Sequence, residues 1–201
     1  MDYTYHYNSP LGGITLASNG TELTGLWFDG QKYFGATLPG EYEEKSLPVF
    51  EEAACWLDIY FSGKAPDFTP PLLTKATPFR QAVWEILLTI PYGRTMTYGD
   101  IADRIAKQKG VSKMSAQAVG GAVGHNPISL IIPCHRVVGT KGSLTGYAGG
   151  IDKKVQLLTL EKADMSSFFV PMKGTALRFQ QMRRQYKHPL PGRQRILKPK
   201  Q

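Results

Sequence analysis

Between residues 65 and 71 the chain reads Ala65-Pro66-Asp67-Phe68-Thr69-Pro70-Pro71. Three prolines so close together suit neither a helix interior nor a central strand, because proline fixes φ and lacks the amide proton that both ladders need. The stretch therefore divides the 201 residues into two folding segments, and the charge changes sign at the same place. Residues 1–70 carry three Lys against ten acids, a net −7, whereas residues 71–164 carry twelve Lys and Arg against six acids, a net +6. Residues 165–201 add nine basic side chains and no acid, so the overall +8 is regional. Within the first 164 residues, a polyanion would be gripped by the second segment and not by the first.

The apolar runs, such as Ser129-Leu130-Ile131-Ile132, are far shorter than the roughly 18 to 20 residues a bilayer span needs, and no membrane association is expected. The start, Met1-Asp2-Tyr3-Thr4-Tyr5-His6, has neither a basic nor an apolar leader region, so no secretory signal is read there. Two cysteines, Cys55 and Cys134, cannot build a disulfide framework and point to a reducing, cytoplasmic setting. Neither has a metal-type partner at close spacing, and no metal is expected.

In the first segment Tyr3–Tyr7, Ile14–Ala17 and Leu23–Phe28 read as strands of a hairpin or small meander, punctuated by Pro10-Leu11-Gly12-Gly13 and Asn19-Gly20. A helix is expected over Ser46–Ser62, with Ser46 as N-cap, Leu47, Phe50, Ala54, Leu57 and Phe61 as its apolar stripe and Cys55 as a buried small hydrophobe. The second segment opens on Thr77-Pro78, a cap followed by proline at the first helical position, before the stripe Phe79, Val83, Ile86, Leu87 and Ile90. Thr97-Tyr98-Gly99-Asp100 has the spacing of a capping box, with Ile101, Ala102, Ile105 and Ala106 inward. An Ala/Gly-rich helix over Ser115–Val123 follows, which suggests a helix-turn-helix, and a last helix spans Ile151–Lys162.

Chemistry concentrates in Ser129–Val138, where an apolar, strand-like run meets Pro133-Cys134-His135-Arg136. Cys134 is followed by a histidine able to take its proton and an arginine that favours the thiolate. Neighbouring residues on a regular strand point to opposite faces, so a shared site for Cys134 and His135 requires the backbone to bend there, and a water is expected to relay the proton. A third group must orient the imidazole, and Glu161 on the last helix is the acid best placed for it.

At these residues the chain resembles the O6-alkylguanine-DNA alkyltransferases, also called methylated-DNA–protein-cysteine methyltransferases. Ile132-Pro133-Cys134-His135-Arg136-Val137 is similar to that family's signature, as are Ala118-Val119-Gly120-Gly121-Ala122, Asn126-Pro127-Ile128, Gly146-Tyr147-Ala148-Gly149-Gly150 and Leu157-Leu158 with Glu161. The resemblance is strong over about residues 75–162 and looser over 1–70. It implies an α+β protein: a small N-terminal β-sheet-plus-helix domain, ribonuclease-H-like, over residues 1–70, then a mainly helical, winged helix-turn-helix-like DNA-binding and alkyl-acceptor domain over 71–164. Residues 165–201, which the resemblance does not cover beyond about 170, are expected from their composition to be a basic extension, partly disordered and solvated, with an electrostatic arm for DNA as the alternative.

The implied activity is a one-shot repair reaction on an alkylated guanine, and less well on O4-alkylthymine, flipped out of double-stranded DNA. By this resemblance Cys134 is the acceptor nucleophile, His135 its base, Glu161 the orienting acid, Asn126 the residue holding the active-site turn, and Tyr98 a contact to the guanine. The carbonyls of Cys134 and Val137 accept from the base, and Tyr147, Ala148 and Gly149 form the loop over it. Gln117, Ala118, Gly120, Gly121, Ala122 and Arg136 are the DNA-binding set, entered through the minor groove, and Arg136 also anchors the turn. Small side chains suit close approach to a narrow groove, but they suit close helix–helix packing equally. The family commonly has arginine where this chain has Gln117, and some members have serine at the position of Ala148. Some relatives also bind zinc in the first domain through a cysteine pair that has no match here. No cofactor, no obligate protein partner and a monomer are expected. A non-catalytic lesion-binding module and a Cys-His hydrolase are the competing classes: Cys134 argues against the first, and the Ala/Gly helix has no purpose in the second.

Overall fold

The computed structural model describes residues 1–171. Three antiparallel strands, β1 (Asp2–Ser9), β2 (Gly12–Ser18) and β3 (Leu23–Phe28), form the expected meander. A short β4 (Tyr42–Glu44) adds to β1 in parallel, giving the order β3-β2-β1-β4. Helix α1 (Pro48–Phe61) packs against this sheet, with Phe50 stacked on Tyr5 at 5.8 Å. The outer edge of β3 is not left free. Leu23 exchanges backbone hydrogen bonds with the Pro71–Leu73 segment, and Leu26 does so with Pro127 and Ser129. Pairing an edge in this way satisfies its amides and carbonyls, and here it ties the chain just before Cys134 directly to the first sheet.

The second segment contains α2 (Pro78–Leu88), α3 (Tyr98–Lys109), α4 (Ala116–Gly124) and α5 (Ile151–Leu160). A parallel pair, β5 (Met96–Thr97) and β6 (Val137–Val138), joins the entry to α3 with the exit from the cysteine turn. The α2 cap at Thr77 and the α3 capping box between Thr97 and Asp100 both form, and Ser115 caps α4. These are contacts over three residues, so local sequence suffices to specify them. Buried side chains from the sheet, α1 and all four later helices form one continuous core, and Ile151 and Leu158 of α5 also line a smaller cluster with Val138, Leu144 and Val170. Phe169 exchanges backbone hydrogen bonds with Gly142 and Leu144, which holds the end of the described chain against that cluster. The expected disordered and DNA-contacting behaviour of the basic extension concerns residues that lie, beyond 171, outside the described part. No described helix is long and apolar enough to cross a membrane.

Three local expectations are corrected. Helix α1 starts at Pro48 with Leu47 in the cap position, because proline is pre-set for the first turn, and Ser46 instead lies 3.5 Å from Glu51. Its buried face is Val49, Phe50, Ala53, Trp56, Leu57 and Tyr60, which rotates Cys55 out to solvent. The Ser129–Ile132 run is a sequence of turns and not a strand; Leu130 has φ 69° and Ile132 N–H bonds back to the Ile128 carbonyl.

Candidate active site

Asn126 organises the turn from within. Its side-chain oxygen accepts from Ile128 N–H at 3.1 Å, while its amide nitrogen donates to the carbonyls of Ile128 and Ile132 and, at 3.1 Å, to Cys134 Sγ. The chain then closes into a single 3₁₀ turn over Cys134–Arg136, so Cys134 and His135 need not alternate as they would on a strand. Replacing Asn126 by alanine leaves buried carbonyls and an amide without partners, and we expect a loss of about 2–4 kcal/mol in urea unfolding.

Cys134 is 4% exposed. Burial pushes its thiol above the ordinary 9.0, an effect opposed by the Asn126 hydrogen bond and the positive charge of Lys154. The resting group is therefore a thiol that needs a base. His135 is fully buried, with Nε2 2.7 Å from Glu161 Oε1, and burial pulls its imidazole below 6.5, so it is neutral at pH 7. The carboxylate assigns the proton to Nε2. Nδ1, which then carries the lone pair, has no hydrogen-bond partner among the described residues.

Glu161 caps the C-terminus of α5, and its carboxylate collects donors from several elements. Besides His135, Arg136 Nε bonds at 2.9 Å, Gly93 N–H at 3.0 Å and the Tyr60 hydroxyl at 2.8 Å. Burial pushes its carboxyl up, but the hydrogen bonds of His135 and Arg136, the Arg136 charge and, once the imidazole is protonated in acid, that of His135 outweigh this and hold it at about 2. Arg136 also donates to the Ile90 carbonyl and is 9% exposed. Its place among the DNA-contacting residues is therefore corrected: the guanidinium is consumed inside, where an unpaired charge would be costly.

Tyr98, at the first turn of α3, donates to the Thr145 carbonyl at 3.3 Å, and burial pushes its hydroxyl up to about 12, so it remains a donor. Its oxygen would lie 2.7 Å from a β-carbon at Gly146, whose φ is +71°, so only glycine fits there. The Val137 carbonyl accepts from the buried Lys154 ammonium, which also bonds the Thr145 carbonyl at 2.8 Å. Tyr147 is buried edge-on to His135 at 6.3 Å with its hydroxyl unpartnered among the described residues, the Ala148 carbonyl accepts from Lys32 N–H of the first segment, and Gly149 lies beside the Tyr147 ring. Among the described residues no three His, Cys, Asp or Glu side chains cluster as a metal site would require.

On α4, Gln117, Ala118 and Gly121 face solvent, Gly120 is half-buried over the Tyr98 ring, and a β-carbon at Gly121 would meet none of the described residues within 4 Å. Packing therefore does not account for Gly121. It does account for Ala122, which is buried, with its carbonyl accepting from Trp84 Nε1 at 2.9 Å, and this corrects its assignment to the DNA-facing set.

Two residues of the site escaped sequence reasoning. Lys154 left one signal, since it stands three residues after Ile151 and three before Leu157 on the buried stripe of α5. Tyr60 left none, because it belongs to the other segment and looks like any core aromatic.

Fold and site define the class: a two-part α+β protein whose helix-turn-helix half holds a buried cysteine beside a His-Glu pair. The family model described as 6-O-methylguanine DNA methyltransferase, DNA binding domain, matches residues 78–163, and the one described as its ribonuclease-like domain matches residues 1–74. A methylated-DNA–protein-cysteine methyltransferase of Mycobacterium tuberculosis is 45% identical over 171 residues, covering 81% of this chain and 98% of that protein. One from Haemophilus influenzae is 44% identical over 161 residues, covering 80% and 86%. The crystal structure of the M. tuberculosis O6-methylguanine methyltransferase superposes with a TM-score of 0.70 over 81% of this chain and 93% of that one, at 44% identity. A structure of the M. tuberculosis protein in complex with DNA gives 0.69 over 80% and 92%. The chain belongs to the 6-O-methylguanine DNA methyltransferase family.

Proposed function

We propose that the protein repairs DNA by flipping O6-alkylguanine, and less efficiently O4-alkylthymine, out of the duplex and moving the alkyl group irreversibly to Cys134. The observation that carries this reading is a thiol held by Asn126 in the same 3₁₀ turn as a neutral imidazole whose Nε2 is bonded to Glu161. The Cys134 proton passes, through a water, to the free Nδ1 of His135, and Glu161 stabilises the imidazolium that results. The thiolate attacks the alkyl carbon in line, an S–C bond forms, the C–O6 bond breaks, and the electron pair leaves on guanine, where the Tyr98 hydroxyl donates as charge develops. A thioether is no substrate for water, so one molecule repairs one lesion.

In this reading the solvent-facing small residues of α4 enter the minor groove with Gln117 filling the gap left by the flipped base. The DNA complex of the M. tuberculosis relative supports DNA as the partner. Gln117 brings no charge. Gln117→Arg is therefore expected to tighten duplex binding several-fold and steepen its salt dependence by about one unit in a titration at varied ionic strength; unchanged affinity and slope would reject the role.

The reading is tested by mixing the protein with an oligonucleotide duplex containing O6-methylguanine and digesting it for mass spectrometry. A single methyl gain on the Cys134 peptide, saturating at one equivalent, is expected. Retained binding without the gain would favour a lesion-binding module, and continued turnover a hydrolase.

A further inference from the structure

We propose that Tyr60, supplied by the first segment, is a positioning residue that holds the Glu161 carboxylate and thereby sets how readily His135 accepts the proton of Cys134. The inference rests on the transfer reaction proposed above. Tyr60 lies 101 residues from Glu161 in sequence, yet its hydroxyl is 2.8 Å from Oε1 and 3.2 Å from His135 Nε2, the three groups forming a closed triangle in the fully buried core.

The direction of these bonds is determined by the chemistry. Burial, reinforced by the charge of Glu161, pushes the Tyr60 hydroxyl well above its ordinary range, so it keeps its proton and donates to the carboxylate. His135 Nε2–H donates to the same oxygen. Two Arg136 N–H groups donate to it as well, and donors on one oxygen share its electron density, so each weakens the others' bonds. The hydroxyl therefore draws charge away from the atom that makes the imidazole basic, while the stacked Trp56 ring at 5.3 Å and the edge contact with Tyr92 at 5.9 Å hold the phenol in place. The other polar groups around His135 are Cys134 and Arg136 in its own turn, Tyr147 from the loop, and Glu161 and Lys154 of the last helix and its cap. Among the described residues none of these comes from the first segment, and Tyr60 is the group by which that segment reaches the proton relay.

The test is Tyr60→Phe, which keeps the ring and removes the hydroxyl. With the competing donor gone, Glu161 binds the His135 N–H more strongly and the imidazole becomes easier to protonate. A protonated His135 cannot serve as base, so the acid limb of the single-turnover methyl-transfer rate moves up by roughly 0.5 to 1 pH unit. The variant then loses several-fold in rate at pH 6 and little at pH 8.5. Trp56→Phe is the packing control: it disturbs the same ring without touching the hydroxyl and is expected to change the rate by a similar factor at every pH. A Tyr60→Phe profile that is lowered uniformly, or unchanged, would overturn the proposal.

The ¹⁵N shifts of the His135 ring provide a second readout that needs no DNA. In Tyr60→Phe they should move toward the imidazolium values at a given pH, and identical shifts in the two proteins would overturn the proposal. A wild-type protein that takes up no methyl would sink the repair reading, while the ring shifts would still decide the role of Tyr60.

Discussion

Cys134→Ala abolishes methyl uptake while leaving duplex binding within about twofold. The side chain is almost wholly buried and Asn126 keeps its bonds to the Ile128 and Ile132 carbonyls, so the turn survives the loss of Sγ. Nothing else in the pocket replaces the nucleophile: Tyr98 and Tyr147 hold their protons far above neutrality, and His135 has its Nε2 committed to Glu161. A gel-shift titration alongside mass spectrometry of the mixed reaction checks both halves. Residual methylation of any peptide in the variant would show that the acceptor lies elsewhere, and loss of binding would show that Cys134 has a structural part in holding DNA.

The second large effect is expected at Glu161. Glu161→Ala removes the partner of Arg136 and His135 together, leaving Arg136, 9% exposed, with the Ile90 carbonyl as its one remaining hydrogen-bond partner among the described residues. Breaking a buried pair in this way costs about 3–5 kcal/mol, so the alanine variant should unfold at much lower urea. Glu161→Gln preserves the shape and removes the charge. It should slow methyl transfer by roughly a hundredfold, since an imidazole without its carboxylate is a poorer and less well oriented base.

The same carboxyl gives a pH signature. Its value in the folded protein, about 2, lies below the ordinary 4.5, so the folded state binds this proton less readily than the unfolded chain does. Its contribution to stability is therefore complete above about pH 4.5, is lost progressively as the pH falls toward 2, and is gone below that. The shift corresponds to roughly 3 kcal/mol. Urea unfolding at pH 6 and pH 3 should show a drop in the wild type that shrinks markedly in Glu161→Gln; equal drops in the two proteins would mean that the carboxylate is not the group responsible.

Local signals were reliable where partner and signal lie within one turn of chain. The Thr77-Pro78 start and the Thr97–Asp100 box both form because the groups that satisfy each other are three residues apart. They failed by one residue on α1, where Leu47, Ala54 and Phe61 looked as good a stripe as Val49, Ala53, Trp56 and Tyr60, and only the sheet on one side and the second segment on the other decide between them. The Ser129–Ile132 run looks strand-like in sequence because apolar residues in a row carry no record of Asn126 capturing the carbonyls of Ile128 and Ile132.

The sequence by itself carried the Pro-rich stretch with its change of charge sign, the helix-turn-helix, the Cys134-His135-Arg136 run and the family resemblance, because these are matters of residue type and short spacing. Tertiary structure alone decided what each polar group does with its hydrogen bonds. It turned Arg136 inward to Glu161, gave the Val137 carbonyl to Lys154, buried Ala122 and left Gly121 open, and brought Tyr60 of the first segment to the His135–Glu161 pair. The physical reason is that buried donors and acceptors must be satisfied wherever in the sequence their partners happen to lie.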